Sequence, residues 1–380
     1  MDKLSIKTDL YIGQGAMDRL TEWKNKRIFI VTDPFIVKSG MINMVFDRLH
    51  ESNEQYIFSN IVPDPPVEIV TEGVEALGAF KADMILAIGG GSAIDAAKAM
   101  KLFAGKLLDQ TDLPFIAIPT TSGTGSEVTS FSVISDKQKN IKYPLVSDEL
   151  LPQEAILDPE LVKSVPDFIT ADTGMDVLTH AIEAYVSTKA NDISDAMAEK
   201  AIKMVFAYLP RAYKNGSDLE AREKMHNASC LAGLAFNMTS LGLNHGIAHV
   251  AGAKFKIAHG RMNALLLPHV IAYNADYKPG YGKDDANATA ARYAEIAKSL
   301  GLSAPNAKSG VRSLIQAIKQ LQKELHMPKT LKECGVELAL LEDMRAAIAE
   351  GALQDGCTAT NPRVPTEADV AQILNKMYQS

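Results

Sequence analysis

The sequence predicts an α/β domain built on a parallel sheet, followed by an all-helical domain. Short apolar runs alternate with amphipathic stretches in the first half, glycine-rich turns follow two of these runs, and strand-like runs become scarce after about residue 166. Strand–helix alternation of this kind is typical of a parallel sheet covered by helices. We place the two domains at residues 1–180 and 181–380, with Asp176 and His180 at their junction.

Four apolar runs of the first half are expected to be buried strands, and the stretches between them helices. The strands are expected at residues 27–33, 55–61, 82–90 and 114–121, and two of the helices at 67–80 and 93–105. In the second half, Ala-, Leu- and Lys-rich stretches with helical spacing dominate, for example residues 194–213 and 288–302.

Length and composition exclude several classes of protein. A chain of 380 residues with 47% hydrophobic and 22% charged residues is globular and too long for one ordinary core. Its net charge of −7, without a basic block, argues against nucleic-acid binding. The three cysteines form no CxxC pair, which fits a reducing cytoplasmic compartment, and we assign no reactivity to Cys357. We expect no targeting peptide and no membrane span.

Two glycine-rich turns at strand ends predict a nucleotide site. Gly89, Gly90, Gly91 and Ser92 join a strand to a helix, where a phosphate can approach backbone N–H groups and the helix N-terminus. The turn at 119–127 crowds hydroxyls and glycines after the next strand. Ligands of parallel sheets bind at the carboxyl ends of strands. The alternative is a pair of polar surface turns.

Asp33, at the end of the first buried strand, admits two interpretations. A carboxylate at this place can accept hydrogen bonds from a ribose 2′-hydroxyl and repel a 2′-phosphate. Asp-Pro is also a common start of a turn, so the side chain can simply cap the helix that begins at Pro34. The sequence leaves both interpretations open.

Imidazoles and a carboxylate recur at helical spacing in two windows. Asp176 and His180 are four residues apart, as are His245 and His249, and His259 follows ten residues later. Side chains at i and i+4 share one helix face, so two such pairs can close a metal site across two helices. The spacing decides neither which four bind nor whether the ion is Fe²⁺, Zn²⁺, Co²⁺ or Ni²⁺. A serine hydrolase is disfavoured because no GxSxG turn is present.

The sequence resembles the iron-activated, group III alcohol dehydrogenases along nearly its whole length. The motifs that carry the resemblance are GMDVLTHAIEAY (174–185), HGIAHVAGAKFKIAHGRMNALLLPHV (245–270), GGGSAIDAAK (89–98) and PTTSGTGSEVT (119–129). Within that family the chain most resembles the branch of propanediol-utilising organelles, with ethanolamine-utilisation enzymes as near neighbours. One departure is Ala258, where many relatives have proline before the third histidine.

The resemblance implies a dehydroquinate-synthase-like architecture with a dinucleotide-binding first domain. It also implies NAD(H) as cofactor and one divalent metal, Fe²⁺ first and Zn²⁺ second. The implied metal ligands are Asp176, His180, His245 and His259, and His249 becomes a catalytic residue near the nicotinamide. The implied cofactor-binding residues are Asp33, Gly89, Gly90, Gly91, Ser92, Asp95, Thr120, Thr121, Thr124 and Lys142.

The reaction implied is reversible hydride transfer between NAD(H) and short primary alcohols or aldehydes, in the direction of propanal to 1-propanol. Ethanol and lactaldehyde remain alternative substrates, and a dehydroquinate-synthase-like lyase or a catalytically spent scaffold are alternative classes. The implied partners are a small aldehyde or alcohol, a second copy of the chain in a homodimer, and a microcompartment shell. The chain is expected in the cytoplasm or inside a bacterial microcompartment, bound to neither nucleic acid nor membrane.

An apolar substrate pocket is a further expectation. Phe131 and Val133 share one face of a predicted strand, and Leu241 and Leu243 flank the turn at Gly242. If these residues line opposite walls of the site, propanal and butanal should be better substrates than lactaldehyde. The alternative is that Phe131 packs in a domain core.

Overall fold

The computed structural model describes residues 6–136, 141–278 and 287–379, without the side chains of 141 and 142. The chain divides into two compact units. The first consists of residues 1–165 together with 217–237, and the second of residues 166–216 together with 238–380.

A parallel six-stranded sheet forms the centre of the first unit. The strands of this unit are β1 (Asp9–Ile12), β2 (Arg27–Val31), β3 (Glu54–Phe58), β4 (Met84–Gly89), β5 (Phe115–Pro119), β6 (Phe131–Asp136), β7 (Ile141–Val146) and β8 (Glu154–Leu157). Their order in the sheet is β1-β8-β5-β4-β2-β3, and every pairing in it is parallel. Strands β6 and β7 form a separate antiparallel pair. The predicted parallel sheet is confirmed.

Helices occupy the connections of the first unit and almost all of the second. Their bounds are α1 (Pro34–Lys38), α2 (Asn43–Phe46), α3 (Val67–Phe80), α4 (Gly91–Leu107), α5 (Asp167–Val186), α6 (Asp192–Lys214), α7 (Leu219–Thr239), α8 (Leu243–Phe255), α9 (His259–Asn274), α10 (Ala288–Ser299), α11 (Ala307–Glu324), α12 (Leu338–Gln354) and α13 (Glu367–Gln379). Within the described ranges, no helix is both long and apolar enough to cross a bilayer.

Alternate residues of the central strands feed two apolar cores. Phe29 and Phe115 pack with residues of α3 and α4 on one face of the sheet. Ile28 and Ile116 pack with residues of α1 and α2 on the other. Because both faces are covered, β2, β4 and β5 are continuous apolar runs, and these runs made them visible in the sequence.

Close contact between α5 and α9 organises the second unit. A Cβ atom at Gly260 would lie 2.1 Å from the carbonyl oxygen of Asp172, so only glycine permits this approach. The start of α9 is therefore held against the middle of α5. Helices α8, α9, α12 and α13 enclose a separate apolar core that includes Ile247, Leu266 and Ile348.

The boundary between the units differs from the expected residue 180. Helix α5 begins at Asp167 and belongs wholly to the second unit, because it packs along α6 and α9. Residues 217–237, most of α7, return to the first unit, where a Cβ on Gly125 would lie 2.7 Å from Gly233 Cα. This return depends on a contact between residues far apart in the chain, for which the local sequence carries no signal.

Candidate metal centre and nucleotide-binding loops

Three helices of the second unit bring one carboxylate and three imidazoles together. Asp176 and His180 lie one turn apart on α5, His245 lies in the first turn of α8, and His259 is the first residue of α9. One donor atom from each lies within 4.8 Å of the others. The structure therefore brings together the four residues expected to bind metal.

The spacing of the donor atoms suits a four-coordinate ion. Asp176 Oδ1 lies 3.7 Å from His245 Nε2 and 3.5 Å from His259 Nε2. Ligand atoms at about 2.0–2.2 Å from a tetrahedral ion are roughly 3.3–3.6 Å from one another. The side chain of His259 is 43% exposed, whereas the other three residues are buried. Solvent therefore reaches the cluster at His259.

Glu183 orients His245 from behind the cluster. Its carboxylate accepts a hydrogen bond from His245 Nδ1 and another, of 2.7 Å, from the backbone N–H of Asn244. The bond at Nδ1 fixes the ring so that Nε2 is directed toward Asp176. Glu183 also lies at the N-terminus of α8, where a negative charge is favourable.

Burial and neighbouring charges shift the pKa values in the cluster. Burial would raise the pKa of Asp176, but His180, His259 and His245 hold it far below its usual value. Burial lowers the pKa of His180 to about 3, so its ring is neutral at pH 7. Burial would likewise lower the pKa of His245, yet Glu183 and Asp176 raise it to about 9. Because a cation must displace protons from such ligands, its binding should weaken as the pH falls.

His249 lies beside the cluster and is not among the four convergent residues. Its Nδ1 is 2.8 Å from Asp355 Oδ2, and its ring stacks on His259 with centroids 5.4 Å apart. When Nδ1–H donates to Asp355, Nε2 remains available for proton exchange. The sequence did not indicate Asp355, which reaches His249 from a distant part of the chain.

Cys357 shares the carboxylate of Asp355. The backbone N–H of Cys357 donates to Asp355 Oδ1 at 2.8 Å, and the thiol bonds to the same carboxylate. Burial, with the charges of Asp355 and Glu183, raises the pKa of the thiol well above its usual value. The thiol is therefore a poor nucleophile.

The two glycine-rich turns of the first unit touch each other. A Cβ atom at Gly91 would lie 2.7 Å from Thr124 Cγ2, and one at Gly90 would lie 3.5 Å from Thr121. The N–H of Thr120 donates to the carbonyl of Gly89 at 2.9 Å. In the described part of the chain no side chain caps the N-terminus of α4, so its first N–H groups suit an anionic group.

Asp33 fits both interpretations made from the sequence. Its Oδ1 accepts hydrogen bonds from Phe35 N and Ile36 N, at 2.8 and 3.1 Å, and so caps α1. Its Oδ2 lies at the glycine turn, since a Cβ on Gly89 would be 3.4 Å away. One oxygen therefore caps α1, while the other lies at the start of the first glycine-rich turn.

Asp95 is engaged by the protein itself. Its Oδ1 accepts from Ser126 Oγ at 2.6 Å and its Oδ2 from Val133 N at 3.0 Å. One turn later, the buried Lys98 donates to two backbone carbonyls of residues 129–131, each at 2.7 Å. These contacts fix the second glycine-rich turn, and cofactor binding by Asp95 stays a prediction.

Ser92 and Lys142 are the remaining residues expected in the nucleotide site. Ser92 lies in the first turn of α4 and is half-buried. In the second glycine-rich turn, the Oγ of Ser122, the residue after Thr121, lies 2.9 Å from Nδ1 of His226 on α7. The sequence gave no sign of this partner. The side chain of Lys142 lies outside the described residues.

The expected apolar pocket walls are only partly compatible with the structure. The ring of Phe131 lies 6.5 Å from that of Phe236, within the first unit. Leu243 is fully buried in the helical core beside Ile247, so it does not line a pocket. Leu243 is buried because it lies in the first turn of α8, on the side that packs into that core.

Backbone φ at Ala258 is −54°, a value that proline also takes. The departure from the proline of many relatives therefore does not change the form of the chain before His259.

The first unit thus contains paired glycine turns that suit a nucleotide, and the second contains an Asp-His₃ cluster that suits a metal ion. This combination is typical of metal- and nucleotide-dependent enzymes.

Two models of known protein families match the sequence of this chain. The sequence model of iron-containing alcohol dehydrogenases matches residues 7–159, and the C-terminal model of the Fe-containing alcohol dehydrogenase family matches residues 170–378. The chain belongs to the iron-containing alcohol dehydrogenase family. It is an oxidoreductase that uses NAD(H) and a metal to interconvert alcohols and aldehydes, as the sequence predicted.

Individual relatives agree with this assignment. The chain is 45% identical to a 1-propanol dehydrogenase of Citrobacter freundii, over 99% of this chain and 100% of that protein. The crystal structure of a 1,3-propanediol oxidoreductase superimposes with a TM-score of 0.89 at 33% identity, covering 100% of both chains. The NAD⁺ complex of sulfoacetaldehyde reductase from Bifidobacterium kashiwanohense gives a TM-score of 0.87 at 30% identity, covering 100% of this chain and 99% of that one.

Proposed function

We propose that this enzyme reduces propanal to 1-propanol with NADH, and catalyses the reverse oxidation, at a metal held by Asp176, His180, His245 and His259. The convergence of these four donors within 4.8 Å carries the proposal. The paired glycine turns and the similarity to a 1-propanol dehydrogenase support it.

The donor set fits a divalent ion that takes both nitrogen and oxygen ligands. We propose Fe²⁺, in line with the family, with Zn²⁺ as the alternative, because imidazole and carboxylate ligands suit both. When bound, the ion supplies Lewis acidity that polarises a carbonyl oxygen and lowers the pKa of an alcohol. Asp176 contributes the one anionic ligand, and Glu183 holds the His245 ring in place.

His249 is proposed as the proton carrier. Reduction of an aldehyde adds a hydride to carbon and a proton to oxygen, and NADH provides only the hydride. The bond from His249 Nδ1 to Asp355 leaves Nε2 to give or take that proton, directly or through water.

NAD(H) is proposed to bind the turns of the first unit. The N–H groups of Gly90, Gly91 and Ser92 suit the pyrophosphate, and the Oδ2 of Asp33 suits the hydroxyls of the adenosine ribose. Asp95 is proposed to act through the turn it fixes. The remaining proposed cofactor-binding residues are Gly89, Thr120, Thr121, Thr124 and Lys142.

Metal analysis of protein purified without oxygen, combined with an NADH-oxidation assay on propanal, tests the function. We expect about one ion per chain, because the cluster offers a single four-ligand site. His259→Ala should lose metal and activity while the far-ultraviolet circular dichroism stays unchanged. Full metal occupancy in that variant would contradict the ligand assignment, and undiminished activity of metal-free protein would contradict the mechanism.

An aldehyde series tests the proposed substrate. Each methylene buried in an apolar pocket gains about 0.8 kcal/mol, roughly fourfold in kcat/KM, whereas an unpaired buried hydroxyl costs about 1–3 kcal/mol. An enzyme whose substrate is propanal, with its alkyl chain buried against apolar side chains, should therefore have a higher kcat/KM for propanal and butanal than for lactaldehyde. A clear preference for lactaldehyde would identify a lactaldehyde reductase, and one for acetaldehyde an ethanol dehydrogenase.

We also propose that the enzyme forms a homodimer and is enclosed in a bacterial microcompartment. The homodimer is what the family resemblance of the sequence implies, and the similarity to the 1-propanol dehydrogenases supports enclosure. Light scattering of the purified protein measures the oligomeric state, and its co-sedimentation with purified shells measures enclosure.

A further inference from the structure

Asn263 contacts three of the four proposed ligands through one atom of its side chain. Its Nδ2 is 2.7 Å from Asp176 Oδ1, 3.0 Å from His245 Nε2 and 3.1 Å from His259 Nε2. The residue is fully buried and lies one turn after His259 on α9. A single amide nitrogen is thus within hydrogen-bonding distance of donor atoms from α5, α8 and α9.

The amide is held in this orientation from its other end. Asn263 Oδ1 accepts from Asn244 Nδ2 at 2.9 Å, and the same nitrogen is 3.2 Å from the backbone carbonyl of Asn263. Asn244 is itself fully buried, and its backbone N–H is bound by Glu183. Because the oxygen of the Asn263 amide is engaged by Asn244, its NH₂ group is directed at the ligands.

Counting donors and acceptors shows which of these contacts can coexist with a cation. When both imidazoles are neutral, as metal binding requires, the amide has two hydrogens for three acceptors. Its shortest contact is to the Asp176 carboxylate, where a charge-assisted bond is strongest. A carboxylate oxygen has two lone pairs and can accept a hydrogen bond while it serves as a ligand. A neutral imidazole offers one lone pair, so the contacts to His245 and His259 give way to an ion.

We propose that Asn263 is a positioning residue of the metal centre, which acts through Asp176 by holding its Oδ1 at the ligand position. This inference rests on the metal ligands proposed above. Loss of a hydrogen bond that supports a ligand typically lowers metal affinity by roughly 10–100-fold. We expect a loss of that size when the amide is removed.

Metal affinity of Asn263→Ala, measured by competition with a chelator, is the decisive experiment. Using Co²⁺ as the probe, we expect affinity roughly 10–100-fold weaker than in the wild type. We also expect a changed visible spectrum of the bound ion, since the Asp176 oxygen would no longer be fixed. Unchanged or tighter affinity overturns the inference.

Two further variants separate positioning from simple damage to the fold. Gln322→Ala removes another buried hydrogen bond to α9, from Gln322 Nε2 to the carbonyl of Ala264, and should lower the melting temperature without changing Co²⁺ affinity. Asn244→Ala leaves Asn263 in place but frees its oxygen, and should weaken Co²⁺ binding in the same direction, by less. If Asn263→Ala does not fold, unchanged affinity in Asn244→Ala overturns the inference.

His180→Ala distinguishes failure of this inference from failure of the proposed ligands. If His180→Ala keeps the Co²⁺ affinity of the wild type, the ligand assignment is wrong, and the role of Asn263 is wrong with it. If His180→Ala loses Co²⁺ while Asn263→Ala binds it as tightly as the wild type, only the role of Asn263 is wrong.

Discussion

The two oxygens of Asp33 have separate surroundings, and so the side chain can be tested for two roles. Oδ1 caps α1, whereas Oδ2 lies at the Gly89 turn. Asparagine is as good an N-cap as aspartate but carries no charge. Substitution by asparagine therefore removes the repulsion of a 2′-phosphate and keeps the helix cap.

Asp33→Asn is expected to use NADPH much better relative to NADH, while its melting temperature stays close to that of the wild type. A tenfold change in the ratio of the two kcat/KM values corresponds to about 1.4 kcal/mol, a modest electrostatic effect. Asp33→Gly should relax the preference as well and lose a few tenths of a kcal/mol of cap stability. A wild type that uses NADPH as readily as NADH would show that Asp33 does not select the cofactor.

His249→Ala is expected to keep its metal and lose turnover. General acid–base groups typically contribute 10²–10⁴-fold, so kcat should fall by about that range and the pH profile should lose one limb. Asp355→Asn keeps the size of the partner but removes the charge that favours a proton on Nδ1, and it should cause a smaller loss because the imidazole itself remains. Metal loss as large as that of His245→Ala would make His249 a ligand and refute the proton-carrier role.

The residues found from sequence and those missed differ in the range of their contacts. Asp176 and His180 could be selected from the sequence because they are four residues apart on one helix, and the same holds for His245 and His249. Asp355 meets His249 across 106 residues and leaves no local pattern. Asn263 is also four residues after His259, but asparagine is not a usual metal ligand, and the spacing alone gave no reason to select it.

At the scale of elements, most of α7 belongs to the first unit, although α6 and α8, its neighbours in the sequence, belong to the second. His226 on α7 is buried, and its Nδ1 lies 2.9 Å from Ser122 Oγ in the second glycine-rich turn. Burial lowers the pKa of His226 to about 4. The ring is therefore neutral in the folded protein at pH 5, whereas an exposed histidine, with a pKa of about 6.5, is charged.

This difference predicts a loss of stability in acid that belongs to α7. Between about pH 6.5 and pH 4 the unfolded chain binds a proton that the folded chain does not, so stability falls as the pH falls through this window. At pH 5 the effect of His226 is about 2 kcal/mol. His226→Gln should lose correspondingly less stability between pH 7 and pH 5 in urea unfolding with a chelator present. Equal losses in the two proteins would contradict the buried neutral ring.

At the scale of the molecule, the sequence predicted the order of strands and helices better than the division into units. Apolar runs such as β4 and β5 are visible because they are buried on both faces of the sheet. The boundary at residue 165 and the return of residues 217–237 depend on which distant surface a helix covers. Periodicity reports that a helix has an apolar face, but not which core that face joins.

The two units are expected to respond to different ligands. All four proposed metal ligands belong to the second unit, and all proposed cofactor-binding residues to the first. A ligand that binds only the folded state stabilises it by about 2.7 kcal/mol at a concentration 100-fold above its Kd. That stabilisation slows hydrogen exchange in the elements that open together with the binding site.

Hydrogen exchange measured by mass spectrometry on metal-free, metal-loaded and NADH-bound protein tests this division. Metal should slow exchange in α5, α8 and α9, and NADH should slow it in β4 and the start of α4. Residues 217–237 decide the matter, because they lie between α6 and α8 in the chain but belong to the first unit. Hydrogen exchange in these residues should slow when NADH binds. If they respond to metal alone, either the cofactor does not bind the glycine turns or α7 does not open with the unit that contains them.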